Sequence, residues 1–128
     1  MFGITASPQE LENYVRLVME RPEVLRYYNV VFGDIYLLNP KLLPTFDLVT
    51  LFHLCEFSGP QTEAYGGLTD LAVANLLADK TRPGGHILFY TGSMAFDKAK
   101  PVIAQWEKQR PVARVGEYKT VLVYRKTA

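Results

Sequence analysis

The sequence is poor in the residues that form disulfides or hold metals. Its 128 residues include one cysteine, Cys55, and two histidines, His53 and His86. One cysteine cannot form an internal disulfide, and no close spacing of Cys and His matches a zinc site. We therefore expect neither a disulfide framework nor a metal centre. Without a cationic neighbour in the sequence, Cys55 is expected to be a small buried residue rather than a nucleophile.

Charge of one sign and long apolar runs are also missing. Lys and Arg number 14 against 13 Asp and Glu, a net charge of +1, and the longest basic run is Arg125-Lys126. Proteins that bind nucleic acids carry a basic footprint for the phosphates, so we expect no nucleic-acid partner. No stretch approaches the roughly 20 apolar residues of a membrane-spanning helix, and no signal-like segment follows Met1. We expect a cytoplasmic protein without a membrane partner.

What is present is enough for one hydrophobic core. Apolar residues make up 48% of the chain and aromatic residues 12%. A chain of this length buries roughly two thirds of its unfolded surface, which stabilises one domain without disulfides. We expect residues 1–128 to form a single domain.

The N-terminal half alternates strand and helix signals. Phe2–Thr5 is typical of the end of a buried strand. Ser7, Pro8 and Glu10 form a capping box with proline at the first helical position, which predicts a helix from Pro8 to near Arg21. Two strands are expected next, at Asn29–Phe32 and Phe46–Phe52.

The C-terminal half continues the alternation and ends in a hairpin. Three glycines and one proline predict a long loop over Ser58–Gly67, of the kind that is often functional. The remaining expected elements are a helix over Leu68–Lys80, a tight connection at Arg82–Gly85, a strand at His86–Thr91, a helix over Asp97–Gln109 with Pro101 in its first turn, and strands at Val112–Val115 and Thr120–Arg125 joined by Gly116–Lys119. This order predicts an α/β fold of three layers, with a mostly parallel sheet and an antiparallel C-terminal hairpin.

Four segments in this order carry a resemblance to a known family. They are Gly3–Ser7 (GITAS), Gly33-Asp34, Phe46–Phe57 and Arg82–Leu88 (RPGGHIL). They resemble four segments of the class I S-adenosylmethionine-dependent methyltransferases. In the same order, these are the end of the second strand, the acidic turn beside adenine, the fourth strand with its exit into the active site, and the Pro-Gly-Gly turn that enters the fifth strand. The resemblance implies a Rossmann-like sheet and S-adenosylmethionine as cofactor.

The sequence departs from that family at its glycine-rich turn. The family's first strand carries this turn, often Gly-x-Gly-x-Gly, and lies in the middle of the sheet between the strands that Ile4 and Leu48 resemble. No such turn occurs here. We expect an incomplete sheet, truncated at the N-terminus, whose unpaired strand edges are costly when buried. The chain is expected either to be a fragment or to close the gap by re-pairing strands or recruiting a second chain.

The resemblance assigns four residues to the cofactor. Asp34 accepts a hydrogen bond from the adenine amino group and Ile35 flanks the ring. Thr5 stands where the family often has an acidic residue that binds both ribose hydroxyls. Phe52, at the exit of the fourth strand, completes the set. Each of two residues also has a purely structural alternative. Asp34 is then a turn aspartate that accepts a hydrogen bond from its own backbone, and Thr5 is a β-branched residue that favours a strand.

Three further residues are candidates for activating or contacting the substrate that accepts the methyl group. His53 leaves its strand at the end where open α/β sheets bind ligands, and an imidazole can take a proton from a hydroxyl or amine. Glu56 follows three residues later and either orients His53, contacts substrate or is a solvated loop charge. Tyr65 lies in the long loop and is assigned to the substrate.

The first functional hypothesis is a small-molecule methyltransferase, as a fragment or variant, that is inactive as this chain alone. The alternative is a non-catalytic methyltransferase-like module that acts through assembly with another chain, as a homodimer or by segment swapping. A dinucleotide-binding domain ranks last, because the Gly-x-Gly-x-x-Gly turn is also missing.

Overall fold

Strands and helices alternate along the chain and form two separate sheets. The computed structural model describes residues 1–128. Its elements are β1 (Phe2–Thr5), α1 (Pro8–Glu20), β2 (Asn29–Phe32), β3 (Phe46–Leu51), α2 (Pro60–Ala64), α3 (Asp70–Asp79), β4 (Thr81–Tyr90), α4 (Phe96–Gln109), β5 (Val112–Tyr118) and β6 (Val121–Lys126). They divide into two units, Met1–Leu38 and Asn39–Ala128. None of the helices has the length and apolar character needed to cross a membrane.

The first unit holds a parallel pair of strands and one helix. β1 pairs with β2 from Phe2 opposite Asn29 to Thr5 opposite Phe32. Helix α1 begins at Pro8 as predicted, and the Ser7 hydroxyl caps it by accepting the backbone N–H of Glu10 over 3.3 Å.

The capping box of α1 is only half formed. The Glu10 carboxylate does not return to the backbone N–H of Ser7 but accepts the Thr5 hydroxyl, while the Ser7 N–H donates to Thr5 Oγ1 over 3.1 Å. The glutamate therefore lies at the carboxyl end of β1 instead of closing the cap.

The second unit holds a four-stranded sheet in the order β3-β4-β6-β5. β3 and β4 are parallel, β4 and β6 are antiparallel, and β5 and β6 form the C-terminal hairpin. This confirms the predicted α/β class, with parallel strands and an antiparallel hairpin. β1 and β3 do not pair with each other, so the sheet is not closed by re-pairing of these two strands, one of the alternatives that the sequence leaves open.

The predicted connection at Arg82–Gly85 is wrong, because these residues lie inside β4. The register with β3 jumps from Phe46 opposite Thr81 to Leu48 opposite His86, so Asp47 alone faces the four residues between them. Gly84 takes a positive φ of 81°, and Asp47 pairs with Arg82 across the irregularity. The turn chemistry read from the sequence builds a bulge within one strand, not a link between two elements.

Three smaller expectations also need correction. The segment Ser58–Gly67 contains α2 rather than a continuous loop. Pro101 is the sixth residue of α4 and lies in its second turn, not its first. The hairpin turns at Lys119, whose φ is 53°, and β5 runs on to Tyr118 through the irregularity between Arg114 and Gly116.

Three aromatic rings form the core of the second unit. Phe89, Trp106 and Tyr124 are at most 3% exposed and pack edge to face, with ring centroids 5.2 to 5.7 Å apart. The Trp106 indole N–H donates to the carbonyl of Ala74 over 3.2 Å. The cluster therefore ties α4 to β4, β6 and α3 and fixes the frame from which the loops after β3 and β4 extend.

Candidate functional site

A hydrogen-bonded cluster lies where two neighbouring parallel strands end. β3 ends at Leu51 and β4 at Tyr90, so the loops that follow them leave the same edge of the sheet. In open α/β sheets this edge is where ligands bind. The rings of Phe52 and Tyr90 lie 6.1 Å apart at the start of these loops.

The cluster consists of His53, Glu56 and Ser93. His53 Nδ1 lies 3.0 Å from Glu56 Oε2, and the Ser93 hydroxyl donates to Glu56 Oε1 over 2.6 Å. The backbone N–H of Glu56 also donates to the carbonyl of His53 over 3.2 Å, which closes a turn. The Glu56 side chain is 11% exposed and that of His53 is 60% exposed. The carboxylate is thus enclosed by its partners, while the imidazole faces outward.

The hydrogen bonds keep Glu56 ionised. The Ser93 hydroxyl, and then the His53 imidazole, lower the pKa of the Glu56 carboxyl below its ordinary value of 4.5. A hydrogen bond that favours the charged form of a carboxyl lowers its pKa in this way. At neutral pH the imidazole therefore contacts a carboxylate.

A second carboxylate anchors the loop that carries His53. The Asp70 carboxylate, at the start of α3, accepts the backbone N–H of Cys55 over 3.1 Å and also the Ser58 hydroxyl. Burial raises the pKa of the Cys55 thiol to about 12, and Asp70 adds to the shift. Cys55 is buried, as the sequence predicted, and its thiol is protonated at neutral pH, which makes it a poor nucleophile.

The first unit brings two of the predicted cofactor residues together. The backbone N–H of Gly33 donates to the carbonyl of Thr5 over 2.8 Å, so β1 and β2 end side by side. Asp34 Oδ1 accepts the backbone N–H of Tyr36 over 2.8 Å and caps the short helical turn that begins at Ile35. Asp34 therefore has a structural role, whatever else it binds.

Glu10 is a residue of this region that sequence reasoning treated only as a helix cap. Its carboxylate accepts the Thr5 hydroxyl at the carboxyl end of β1. Both side chains line an open cavity of about 450 Å³ between β1 and α1, together with Asn13, Tyr14 and Tyr28. In the sequence, the signal for this contact is that Thr5 and Glu10 lie only five positions apart, on either side of the helix start.

The remaining predicted residues lie in the second unit. Phe52 is 37% exposed and directly precedes His53. Tyr65 directly follows α2 and is 51% exposed. Ser93 was missed by the sequence analysis, although it follows a predicted strand at the ligand-binding edge. The roles in cofactor binding, catalysis and substrate binding assigned to these residues stay predictions.

Comparisons with known proteins give matches among solved structures only, since no family model and no curated protein matches the sequence. The N-methyltransferase NodS from Bradyrhizobium japonicum WM9 is similar over 99% of this chain and 73% of its own, with a TM-score of 0.62 and 14% identity. An rRNA methylase from Streptococcus thermophilus gives the same coverage and TM-score at 13% identity.

NSun6 from Pyrococcus horikoshii, solved with SFG, has a TM-score of 0.63 and 13% identity over 99% of this chain. This chain spans 41% of NSun6, and 66% of NodS in its complex with S-adenosyl-L-homocysteine. The TM-scores establish a shared fold, and at identities this low the comparison shows the fold alone.

Proposed function

We propose that this chain, which has the fold of the class I S-adenosylmethionine-dependent methyltransferases, serves methyl transfer from that cofactor to a small molecule. The observation that carries the proposal is the contact of His53 with Glu56 at the shared edge of β3 and β4. It offers an exposed imidazole held by a carboxylate where this fold class binds ligands.

The first unit supplies groups that fit the adenosine part of the cofactor. Adenosine presents an amino group and two ribose hydroxyls, all of them hydrogen-bond donors. Asp34, Glu10 and Thr5 present acceptor oxygens at the end of β1 and β2. Ile35 adds an apolar side chain beside Asp34. Among the neighbours, NodS was crystallised with S-adenosyl-L-homocysteine and NSun6 with SFG. When bound, S-adenosylmethionine supplies a methyl group already activated by its sulfonium.

The second unit supplies the group that moves a proton. His53 Nε2 takes the proton of an acceptor hydroxyl or ammonium, while Glu56 holds the ring through Nδ1. Tyr65 and the segment from Tyr90 to Phe96 border the acceptor. A net charge of +1 supports a small acceptor over a nucleic acid, although the structural neighbours include rRNA methylases.

The chain alone is expected to bind the cofactor weakly and to turn over nothing. Its sequence holds no glycine-rich turn to meet the amino-acid part of the cofactor. Two or three lost hydrogen bonds, at roughly 1.5 to 3 kcal/mol each for charged groups, weaken a micromolar site by about two orders of magnitude or more. The dissociation constant is then in the millimolar range.

Chemical-shift mapping with S-adenosyl-L-homocysteine tests the cofactor assignment. Amide signals of Thr5, Glu10 and Asp34 should shift at millimolar ligand, and Asp34→Ala should reduce these shifts. Asp97→Ala is the matched control, because Asp97 is 95% exposed in α4 and should leave them unchanged. Shifts confined to other residues, or none at all at saturating ligand, would contradict the proposal.

The second candidate function is a non-catalytic module that works by assembly. It is favoured by the two separate sheets, in which β1 and β3 each pair with one neighbour only. Unpaired strand edges promote pairing with another chain. We expect the chain to form a homodimer or to swap segments at micromolar concentration.

Sedimentation tests this assembly. Leu48, 54% exposed in β3, offers a variant: Leu48→Lys should reduce association, whereas Met19→Lys, at a 78% exposed position in α1 away from any strand edge, should not. A stable monomer at micromolar concentration would contradict the assembly hypothesis.

A further inference from the structure

Ser93 completes a three-residue arrangement that differs from a hydrolase triad. In a triad, the serine hydroxyl contacts the imidazole nitrogen that the acid leaves open. Here the Ser93 hydroxyl donates to Glu56 Oε1, and Glu56 Oε2 meets His53 Nδ1. Both oxygens of the Glu56 carboxylate are therefore occupied, one by Ser93 and the other by His53. The serine is therefore a support for the acid, and the outer nitrogen of the imidazole remains open.

The geometry fixes which nitrogen of a neutral His53 carries the proton. A neutral imidazole has one N–H donor and one lone pair, and an ionised carboxylate can only accept. Because Nδ1 lies 3.0 Å from the Glu56 carboxylate, Nδ1 is the nitrogen that carries the hydrogen. The lone pair is then on Nε2, the nitrogen that the proposed methyl transfer needs as proton acceptor.

Ser93 is itself held by the loop that follows β4. The backbone N–H of Ala95 donates to Ser93 Oγ over 3.3 Å, just before α4 begins. Glu56 sits in the loop after β3, 37 residues earlier in the chain. The Ser93 hydroxyl therefore ties the carboxylate to a second loop and restricts the positions that the carboxylate can take.

We propose that Ser93 and Glu56 are positioning residues that hold His53 in its Nδ1–H form and leave Nε2 as the proton acceptor. The role of Nε2 as proton acceptor rests on the proposed function. The structural content of the proposal concerns only the ring of His53, which can be observed without cofactor or acceptor.

The test is nitrogen NMR of the histidine side chains in the full chain, at about pH 8, where an ordinary imidazole is neutral. Two-bond proton–nitrogen correlations distinguish the Nδ1–H from the Nε2–H form. The chain has two histidines, so His86 in β4 serves as the internal reference. Four variants are compared with the wild type: Glu56→Gln, Ser93→Ala, Ser93→Thr and Thr91→Ala.

We expect the wild type to show the Nδ1–H form for His53. Glu56→Gln should lose this dominant form, because an amide can also donate to Nδ1, and Ser93→Ala should lower its fraction. Ser93→Thr retains the hydroxyl and should restore it. Thr91→Ala removes a hydroxyl from the same end of β4 that donates to the Thr120 carbonyl over 3.1 Å rather than to Glu56, and should leave His53 unchanged.

An Nε2–H form in the wild type would overturn the proposal, and so would a His53 signal that is the same in all variants. Unchanged His86 signals show that a variant is folded. If Glu56→Gln does not fold, the pair Ser93→Ala and Ser93→Thr decides the outcome. Since no methyl transfer is measured, failure of the proposed function would leave this result intact, and the reverse also holds.

Discussion

The backbone N–H of Gly33 donates to the carbonyl of Thr5 over 2.8 Å and so places Asp34 at the same strand edge as Thr5. The two residues come from strands that are parallel and in register up to the pair Thr5 and Phe32. This pairing, which the Gly33 bond extends by one residue, is why two residues 29 positions apart, both assigned to the adenosine part of the cofactor, lie on one edge.

The role of Asp34 in cofactor binding is tested by two substitutions. Asp34→Ala removes the acceptor for adenine and should weaken S-adenosylmethionine binding about tenfold, or about 1.4 kcal/mol. Asp34→Asn keeps an oxygen that can cap the Tyr36 N–H but offers the adenine amino group an NH₂ donor, so it should weaken binding as much while leaving the turn at Ile35 intact. Calorimetric titration provides the comparison, and equal affinities for Asp34→Ala and wild type would remove Asp34 from the cofactor site.

His53 should affect turnover and not cofactor affinity. In any form of the protein that turns over, His53→Ala removes the proton acceptor and should lower kcat by about 10²-fold or more, the usual contribution of a general base. Cofactor affinity should stay nearly unchanged, because His53 is assigned to the acceptor. A combined kinetic and calorimetric measurement separates the two effects. A large loss of affinity with normal kcat would place His53 on the cofactor instead.

The ionised state of Glu56 predicts how stability depends on pH. Since the pKa of Glu56 is lowered below 4.5 in the folded chain, its contribution to stability is fully present above that pH and is lost as the pH falls through the lower folded pKa. The difference in unfolding free energy between wild type and Glu56→Gln should therefore be smaller in acid than at neutral pH.

Urea unfolding at several pH values measures this difference. Asp97→Asn, at a 95% exposed position, controls for the loss of any surface carboxylate. A difference between wild type and Glu56→Gln that persists unchanged in acid would mean that the Ser93 and His53 contacts do not stabilise the ionised form.

Most elements of this fold follow from local sequence signals. The start of α1 was predicted from Ser7 and Pro8, and β2 from its apolar run closed by Gly33, because caps and turns depend on neighbouring residues. The positions of glycine predicted the connections less well. Gly84 and Gly116 were both assigned to connections, yet both lie in strands at irregularities of the ladder. Glycine permits a turn and a bulge alike, and strand pairing decides between them.

The candidate site was predicted in part for a similar reason. His53 and Glu56 are close in sequence and follow a strand, so their contact could be anticipated. The bond from Ser93 to Glu56 depends on β3 and β4 being parallel neighbours. Their pairing brings Ser93 Oγ to 2.6 Å from Glu56 Oε1, although the two residues are 37 positions apart. The Glu10 contact with Thr5 depends on which way a capping side chain turns. The Ser93 contact is not local, and the short spacing of Thr5 and Glu10 permits their contact without deciding between it and the capping-box bond.

Calorimetric titration of the purified 128-residue chain with S-adenosylmethionine tests the central claim most directly. We predict a measurable interaction with a dissociation constant in the millimolar range, because Thr5, Glu10 and Asp34 are proposed to bind adenosine while the glycine-rich turn is absent. Micromolar binding would contradict the account by showing that another segment of the chain replaces that turn. No detectable heat at millimolar cofactor would contradict the assignment of this ligand.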